Sequence, residues 1–378
     1  MIKVLLIHRK MGCGGVEQAL FDLVNLMDKK LFDITILLQE EDGEWEQKFV
    51  DAGIRFTHIY DCQKSSRNPV VKGINLIKRE MLNHAWKQNG RGALNVALPA
   101  KYDIVVKYGA ITFDEMCFYR NAKTIMYNHG DVKTNIGYRQ YIQSRRNILS
   151  KYDRIICVSE VARQSFVEMT NISENVITLF NPLNSQMINL LAAQKTGLPT
   201  DLPLLCAVGR LSEEKGFVRL VQIHKRLLDK GYPHRLVIVG EGPEMEKIEE
   251  AIHQTGTQET VILTGYQENP YPYMKQSKFM VCASYTEGLP VVAMEALSLG
   301  IPIVSSAPSV GELFAKEKCG VITENDDESL EYGIEHMLAD RSFFADVKQA
   351  AERRSAFFDG KRMVREVEQV FMDLVDVR

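Results

Sequence analysis

Anion binding and acid–base chemistry need charged side chains beside backbone that a ligand can approach, and this 378-residue chain offers several such groupings. The run Gly209-Arg210-Leu211-Ser212-Glu213-Glu214-Lys215-Gly216 follows the apolar stretch LPLLCAVG and precedes a helical pattern. Two cations among glycines at a strand end and a helix start make an anion site: the glycines admit the ligand, the helix start favours negative charge, and Arg210 and Lys215 can reach a diphosphate. A solvated turn in which Lys215 pairs with Glu213 or Glu214 is the alternative. Tyr285-Thr286-Glu287-Gly288-Leu289-Pro290 follows FMVCAS and leads into VVAMEALSLG, so Glu287 stands in a loop and Glu295 about one turn into a helix. Both carboxylates can then face one crevice, next to the Gly288 and Leu289 amides where a helix start presents unpaired donors. A carboxylate inside so apolar a segment is costly to bury unless a hydroxyl or a cation pairs with it, and sugar hydroxyls would serve. A capping glutamate and an ordinary helix glutamate are the plainer reading.

Three further loops carry weaker signals. Gly240-Glu241-Gly242-Pro243 follows HRLVIVG, and Met11-Gly12-Cys13-Gly14-Gly15-Val16-Glu17 follows the first strand. Neither is a GxGxxG fingerprint, because Met245 and Glu17 stand where the third glycine belongs. A nicotinamide-dependent dehydrogenase is disfavoured accordingly. Gly14 and Gly15 still allow close approach to a phosphate or sugar. His129 ends the run KTIMYNH, at a strand end where a crevice role and a structural role are both open.

The elements that must position these residues alternate along the whole chain. IKVLLI, FDITILL, DIVVKY, KTIMYN, DRIICVS and NVITLF read as strands of the first half. LPLLCAVG, HRLVIVG, TVILTG, KFMVCAS, IPIVSS and CGVIT read as strands of the second. Amphipathic stretches such as VEQALFDLVNLMDK and GFVRLVQIHKRLLDKG lie between them. Apolar strands separated by helices of about 10–15 residues are βαβ units of parallel sheets covered on both faces, here two doubly wound α/β domains in tandem. Turn residues place the boundary in NPLNSQMINLLAAQKTGLPTDLP, and GKRMVREVEQVFMDLVDVR is a final amphipathic helix with no strand after it. The expected domains are 1–183 and 184–358, with the helix 359–378 packing back on the first.

Composition narrows the partners. The charge balance is 46 basic against 49 acidic residues, which disfavours a globally basic nucleic-acid binder. The distribution is uneven: Asp61 to Arg154 holds 17 Lys and Arg against 7 Asp and Glu. Within it, VVKGINLIKREMLNHAWKQ and YRQYIQSRRNILSKY set apolar residues beside lysines and arginines. Such stretches suit helices lying on an anionic bilayer, or surface helices packed on a core. The seven cysteines are scattered without a CxxC, three of them (Cys157, Cys206, Cys282) in apolar runs, which fits buried thiols in a reducing compartment better than a disulfide framework. No apolar run is long enough to span a membrane, and MIKVLLIHRK does not read as a signal peptide. A cytoplasmic protein is expected, peripheral on the membrane where its basic stretches engage lipid.

Taken together, Gly14-Gly15-x-Glu17, His129, Gly209-Arg210 with Lys215-Gly216, Gly240-x-Gly242-Pro243 and Glu287-x7-Glu295 followed by Leu-Ser-Leu-Gly-Ile-Pro resemble the family 4 retaining glycosyltransferases of the GT-B fold. The resemblance extends over essentially the whole chain and is most specific from Gly209 to Pro302. It implies two Rossmann-like domains facing across a cleft, the first holding the acceptor and the second the nucleotide-sugar. By that resemblance Arg210 and Lys215 neutralise the donor diphosphate, and Glu295 accepts the ribose hydroxyls. Glu287 holds the transferred sugar with the Gly288 and Leu289 amides, Gly240 and Gly242 lie near the donor, and Tyr266 meets the base. Gly14 and Gly15 approach the diphosphate, and His129 lies near the donor sugar. The implied activity is retaining transfer of a hexose or N-acetylhexosamine from a UDP-sugar to a glycan or lipid-linked acceptor in cell-surface polysaccharide synthesis. No cofactor is implied, and with no DxD triplet and no His or Cys cluster, no metal either. A sugar-nucleotide epimerase of the same fold and a non-catalytic bilobal sugar-binding protein are the competing functions.

Overall fold

The computed structural model describes residues 1–40, 43–58, 101–109, 117–118 and 121–376. The basic stretch VVKGINLIKREMLNHAWKQ lies outside the described residues, as does Cys62. The chain divides into two compact units: Met1–Val158 with Arg163–Phe180 and Val364–Arg378, and Asn181–Met363 with Ser159–Ala162.

The first unit contains strands β1 (Ile2–His8), β2 (Phe32–Leu38), β3 (Phe56–His58), β4 (Ile104–Lys107), β5 (Lys123–Asn128), β6 (Arg154–Cys157) and β7 (Val176–Thr178). They form one sheet in the order β3-β2-β1-β4-β5-β6-β7, every pair parallel. Consecutive apolar residues such as Val4 to Ile7 are fully buried because helices cover both faces of a parallel sheet. The helix Gly15–Leu26 buries Leu20, Leu23 and Val24 against β1, β2 and β4. The terminal helix Gly360–Asp376 sends Val364, Val367, Phe371 and Leu374 into the same core, with Phe371 edge-on to Phe32 at 6.1 Å. Glu368 also accepts the Asp28 amide at 2.6 Å, tying that helix to the turn before β2.

The second unit contains β8 (Leu204–Val208), β9 (Arg235–Val239), β10 (Val261–Leu263), β11 (Phe279–Cys282), β12 (Ile303–Ser305) and β13 (Gly320–Ile322). Their order is β10-β9-β8-β11-β12-β13, again all parallel. The helix Phe217–Asp229 packs Phe217, Leu220, Val221, Ile223 and Leu227 into its core.

In each sheet the winding reverses direction once, between β1 and β4 and between β8 and β11. Ligands of open α/β sheets bind outside the carboxyl ends of the strands at that reversal, which is where the loops after these four strands lie.

Three local features depart from the pattern read in the sequence. β3 is a three-residue edge strand that periodicity did not single out. The turn-rich boundary stretch contains the helix Ser185–Leu191, started by the Asn184 carboxamide accepting the Met187 amide at 3.2 Å. The stretch YRQYIQSRRNILSKY is two helices, Ile136–Ser144 and Arg146–Leu149, broken at Arg145. Its tyrosines serve the protein: the Tyr138 hydroxyl donates to Asn128 at 2.7 Å and the Tyr141 hydroxyl accepts from Lys107 at 2.7 Å. For those two side chains the packed-helix reading holds.

Candidate active site

The loop after β8 ends in a short 3-10 turn, Glu213–Lys215, closed by Gly216 at φ 67°. A β-carbon at Gly216 would fall 2.2 Å from the Ala283 carbonyl oxygen, so only glycine lets this turn press against the end of β11. That approach delivers Lys215 to the neighbouring loop. Its Nζ donates to Glu287 Oε1 at 2.5 Å, and Ser284 Oγ donates to the same oxygen at 2.8 Å. Lys215 therefore pairs with a carboxylate 72 residues away rather than with Glu213 or Glu214. Burial of the ammonium alone would lower its pKa, but the Glu287 carboxylate outweighs that effect and holds the pKa above the ordinary lysine value. Glu214 is engaged elsewhere, accepting from Ser212 Oγ at 2.6 Å. Arg210 stands exposed on the same loop, with no ion-pair partner among the described residues.

Gly240 and Gly242 shape this loop from behind. A β-carbon on Gly240 would lie 1.9 Å from the Gly209 carbonyl oxygen, and one on Gly242 would lie 2.3 Å from that of Leu211. The two loops run backbone to backbone, with the Leu211 amide donating to Glu241 O at 2.9 Å and the Glu244 amide to Leu211 O at 2.9 Å. These glycines thus set the seat of Arg210. Tyr266 follows β10 and is exposed; the preceding Gly265 carbonyl accepts from the Gly240 amide at 2.9 Å.

The next helix begins at Val291 with Pro290 as its cap. Gly288 and Leu289 are therefore loop residues ahead of the cap, not the helix-start donors that the sequence suggested; the proline ahead of Val291 delays the first turn. Glu295 lies in the helix interior and is only 7% exposed. The hydroxyl that burial calls for is supplied by the protein itself: Tyr271 donates to Glu295 Oε1 at 3.0 Å.

In the first unit one histidine ends a strand at the reversal and another follows β5, one strand further on. His8 closes β1, and its Nε2 lies 3.1 Å from Glu17 Oε1 in the first turn of the helix Gly15–Leu26. Burial would raise the Glu17 pKa, but the His8 contact more than reverses this and holds it below the usual value. The carboxylate folds back over Gly14, the helix cap, where a β-carbon would meet Glu17 Oε2 at 2.6 Å. Gly15 opens the helix itself. His129 follows β5, its ring 4.8 Å from Tyr108 and stacked on Tyr127 at 5.6 Å. Its Nε2 is 3.0 Å from the Tyr108 carbonyl oxygen, which can only accept, so Nε2 carries the proton and Nδ1 is left as an acceptor. Burial, reinforced by His8, pushes the His129 pKa down to about 4.

The structure thus puts Arg210, Lys215, Gly240, Gly242, Tyr266, Glu287, Gly288 and Leu289 on loops and Glu295 inside a helix of the second unit, and Gly14 and Gly15 at a helix start and His129 at a strand end of the first. Sequence reasoning passed over Ser284, Tyr271 and His8. His8 was legible by the logic used for His129, since it also ends an apolar strand; Ser284 and Tyr271 announce themselves only through their contacts. Among the described residues no His, Cys, Asp or Glu cluster could hold a metal ion. The described cysteines are free thiols, Cys13 exposed and the others buried.

Residues 191–354 match the family model of glycosyl transferases group 1. The chain is 25% identical over 366 residues to the N-acetylgalactosamine-N,N'-diacetylbacillosaminyl-diphospho-undecaprenol 4-alpha-N-acetylgalactosaminyltransferase of Campylobacter jejuni, covering 94% of this chain and 95% of that one. It is 27% identical over 332 residues to the lipopolysaccharide core biosynthesis glycosyltransferase LpsE of Rhizobium meliloti, covering 87% of each. Among solved structures, sucrose-phosphate synthase of Thermosynechococcus elongatus superposes with TM-score 0.78 at 17% identity over all of both chains. Anabaena HepE in complex with UDP and glucose superposes with TM-score 0.76 at 15% identity, over 99% of this chain and 100% of that one. The fold is that of the GT-B glycosyltransferases. The family match over residues 191–354 and the full-length relatives together support a glycosyltransferase.

Proposed function

We propose that this enzyme moves a hexose or N-acetylhexosamine from a UDP-linked donor to a glycan or lipid-linked acceptor with retention of anomeric configuration, without a metal, in cell-surface polysaccharide assembly. The observation that carries this reading is the meeting of Lys215 and Glu287 at the β8–β11 reversal, beside exposed Arg210 and ahead of buried Glu295. As the bond between the sugar and the diphosphate breaks, negative charge grows on the departing oxygen. Arg210 and Lys215 stabilise that charge more in the transition state than in the ground state. Glu287, steadied by Ser284 and Lys215, accepts hydrogen bonds from hydroxyls of the transferred sugar, with the Gly288 and Leu289 amides near it. Glu295 accepts from the ribose, and Tyr266 lies against the base. In this reading Gly14 and Gly15 approach the diphosphate. In the same reading His129 is a neutral imidazole whose Nδ1 accepts from a hydroxyl of the donor sugar.

The acceptor class is supported by the diphospho-undecaprenol and lipopolysaccharide-core activities named for the relatives. Among the described residues no helix is long and apolar enough to cross a membrane. A peripheral attachment at the inner face, through the basic first unit, is part of the same proposal.

The test is incubation with UDP-hexoses and UDP-N-acetylhexosamines, with and without a diphosphate-lipid-linked glycan. Acceptor-dependent product with the donor's anomeric configuration is the expected result. An inverted product removes retention, and an isomerised nucleotide-sugar without acceptor replaces transfer with epimerisation.

A further inference from the structure

We infer that Tyr271 is a positioning residue for Glu295 and, through it, sets the preference for a ribose over a deoxyribose in the donor. The inference rests on the donor reading above. Tyr271 opens the helix Tyr271–Gln276, and its hydroxyl reaches Glu295 Oε1 at 3.0 Å while both residues are nine-tenths buried or more. The tyrosine is itself fixed from behind. Asn269 accepts the Tyr271 amide at 3.3 Å through its oxygen and donates through its nitrogen to Leu191 O at 3.0 Å and to Gln194 Oε1 at 2.9 Å. The loop that aims the phenol is thereby anchored to the segment around the helix Ser185–Leu191.

A carboxylate in an apolar helix can turn, and it becomes costly if it loses its donors. A phenolic donor held at a fixed place favours one orientation of the group. Tyr271 thus lowers the reorganisation that ribose binding would otherwise require. The same two helices are joined at their other ends by Lys275 Nζ donating to Leu299 O at 3.0 Å, a tie that does not touch the carboxylate. That second tie separates positioning from simple packing.

The experiment is calorimetry on the full chain with UDP and 2′,3′-dideoxy-UDP, for wild type, Tyr271→Phe, Glu295→Gln, the double variant and Lys275→Met. Tyr271→Phe is expected to weaken UDP binding roughly tenfold while leaving dideoxy-UDP unchanged, the scale of one hydrogen bond to a charged group. Added to Glu295→Gln it is expected to cost nothing more. Lys275→Met is expected to lower the melting temperature and keep the wild-type preference. A Tyr271→Phe protein with wild-type discrimination, equal weakening of both nucleotides, or a full additional loss in the double variant would overturn the inference. So would loss of discrimination in Lys275→Met. If wild type itself shows no preference, or Glu295→Gln preserves it, the ribose role of Glu295 is wrong and the inference goes with it.

Discussion

The two units wind their sheets by the same rule, yet their strand ends at and beside the reversal differ in kind. In the second unit the ends of β8 and β11 carry full charges that meet between loops, Lys215 with Glu287, with exposed Arg210 alongside. In the first, the ends of β1, β4 and β5 carry rings: His129 packed on Tyr108 and Tyr127, and His8 against Glu17. Fixed charge suits a polyanionic part of a ligand, whereas a buried neutral imidazole suits a hydroxyl. The glycines follow the same division. Gly216, Gly240 and Gly242 are demanded by backbone oxygens, while Gly14 faces only the flexible end of Glu17.

The sharpest way to break this contrast is at the charges. Arg210→Ala and Lys215→Ala are each expected to lower kcat/KM roughly 10²-fold or more, the scale seen when a donor to developing charge is lost. Near-wild-type turnover in steady-state assays of both variants would remove the anionic role of the second unit.

A smaller but distinct effect is expected at the glycines. Gly240→Ala puts a β-carbon into the Gly209 carbonyl at a backbone φ of 145° and should cost about 2 kcal/mol or more. Gly14→Ala, in extended backbone beside a movable carboxylate, should cost under about 1 kcal/mol. Paired urea titrations would decide, and equal losses would erase the distinction.

Acid should weaken both units by one mechanism. His224 Nδ1 lies 2.8 Å from His234 Nε2 in the core of the second unit, and burial, then the His234 charge, pushes the His224 pKa down to about 3. His129 is likewise held down, to about 4. An unfolded histidine takes up its proton near pH 6.5. The stability linked to these groups is therefore complete above that pH and is lost progressively as pH falls towards 4 for His129 and 3 for His224. The melting temperature should fall over that window, and the slope should lessen in a His224→Gln protein. A flat profile above pH 4 would show that these histidines are not buried neutral in solution.

The least of the expected effects concerns membranes. Retention on anionic vesicles at low salt, lost as salt rises, is expected of the basic first unit. Absence of any retention in sedimentation would remove the peripheral attachment.

Much of this was legible in the chain alone because it is local. Apolar runs separated by amphipathic stretches define the β- and α-elements whatever their neighbours, since burial on both faces of a parallel sheet demands them. The six strands read in the second half all occur. The loops rich in glycine and charge were visible for the same reason. A three-residue edge strand such as Phe56–His58 is too short to show a period, and the helix Ser185–Leu191 was hidden by the prolines and turn residues around it.

What residue order could not specify is which distant groups meet. Glu213 and Glu214 are nearer to Lys215 along the chain, but the parallel pairing of β8 with β11 brings Glu287 to it instead. The apolar setting of Glu295 calls for a hydroxyl or a cation beside it; that Tyr271 provides a hydroxyl depends on how the helices Tyr271–Gln276 and Val291–Ser298 pack. Local propensity acts over a few residues, whereas these contacts depend on strand order and on backbones close enough to exclude a β-carbon. Periodicity therefore placed the glycine- and charge-rich loops along the chain, and packing chose the partners of their side chains.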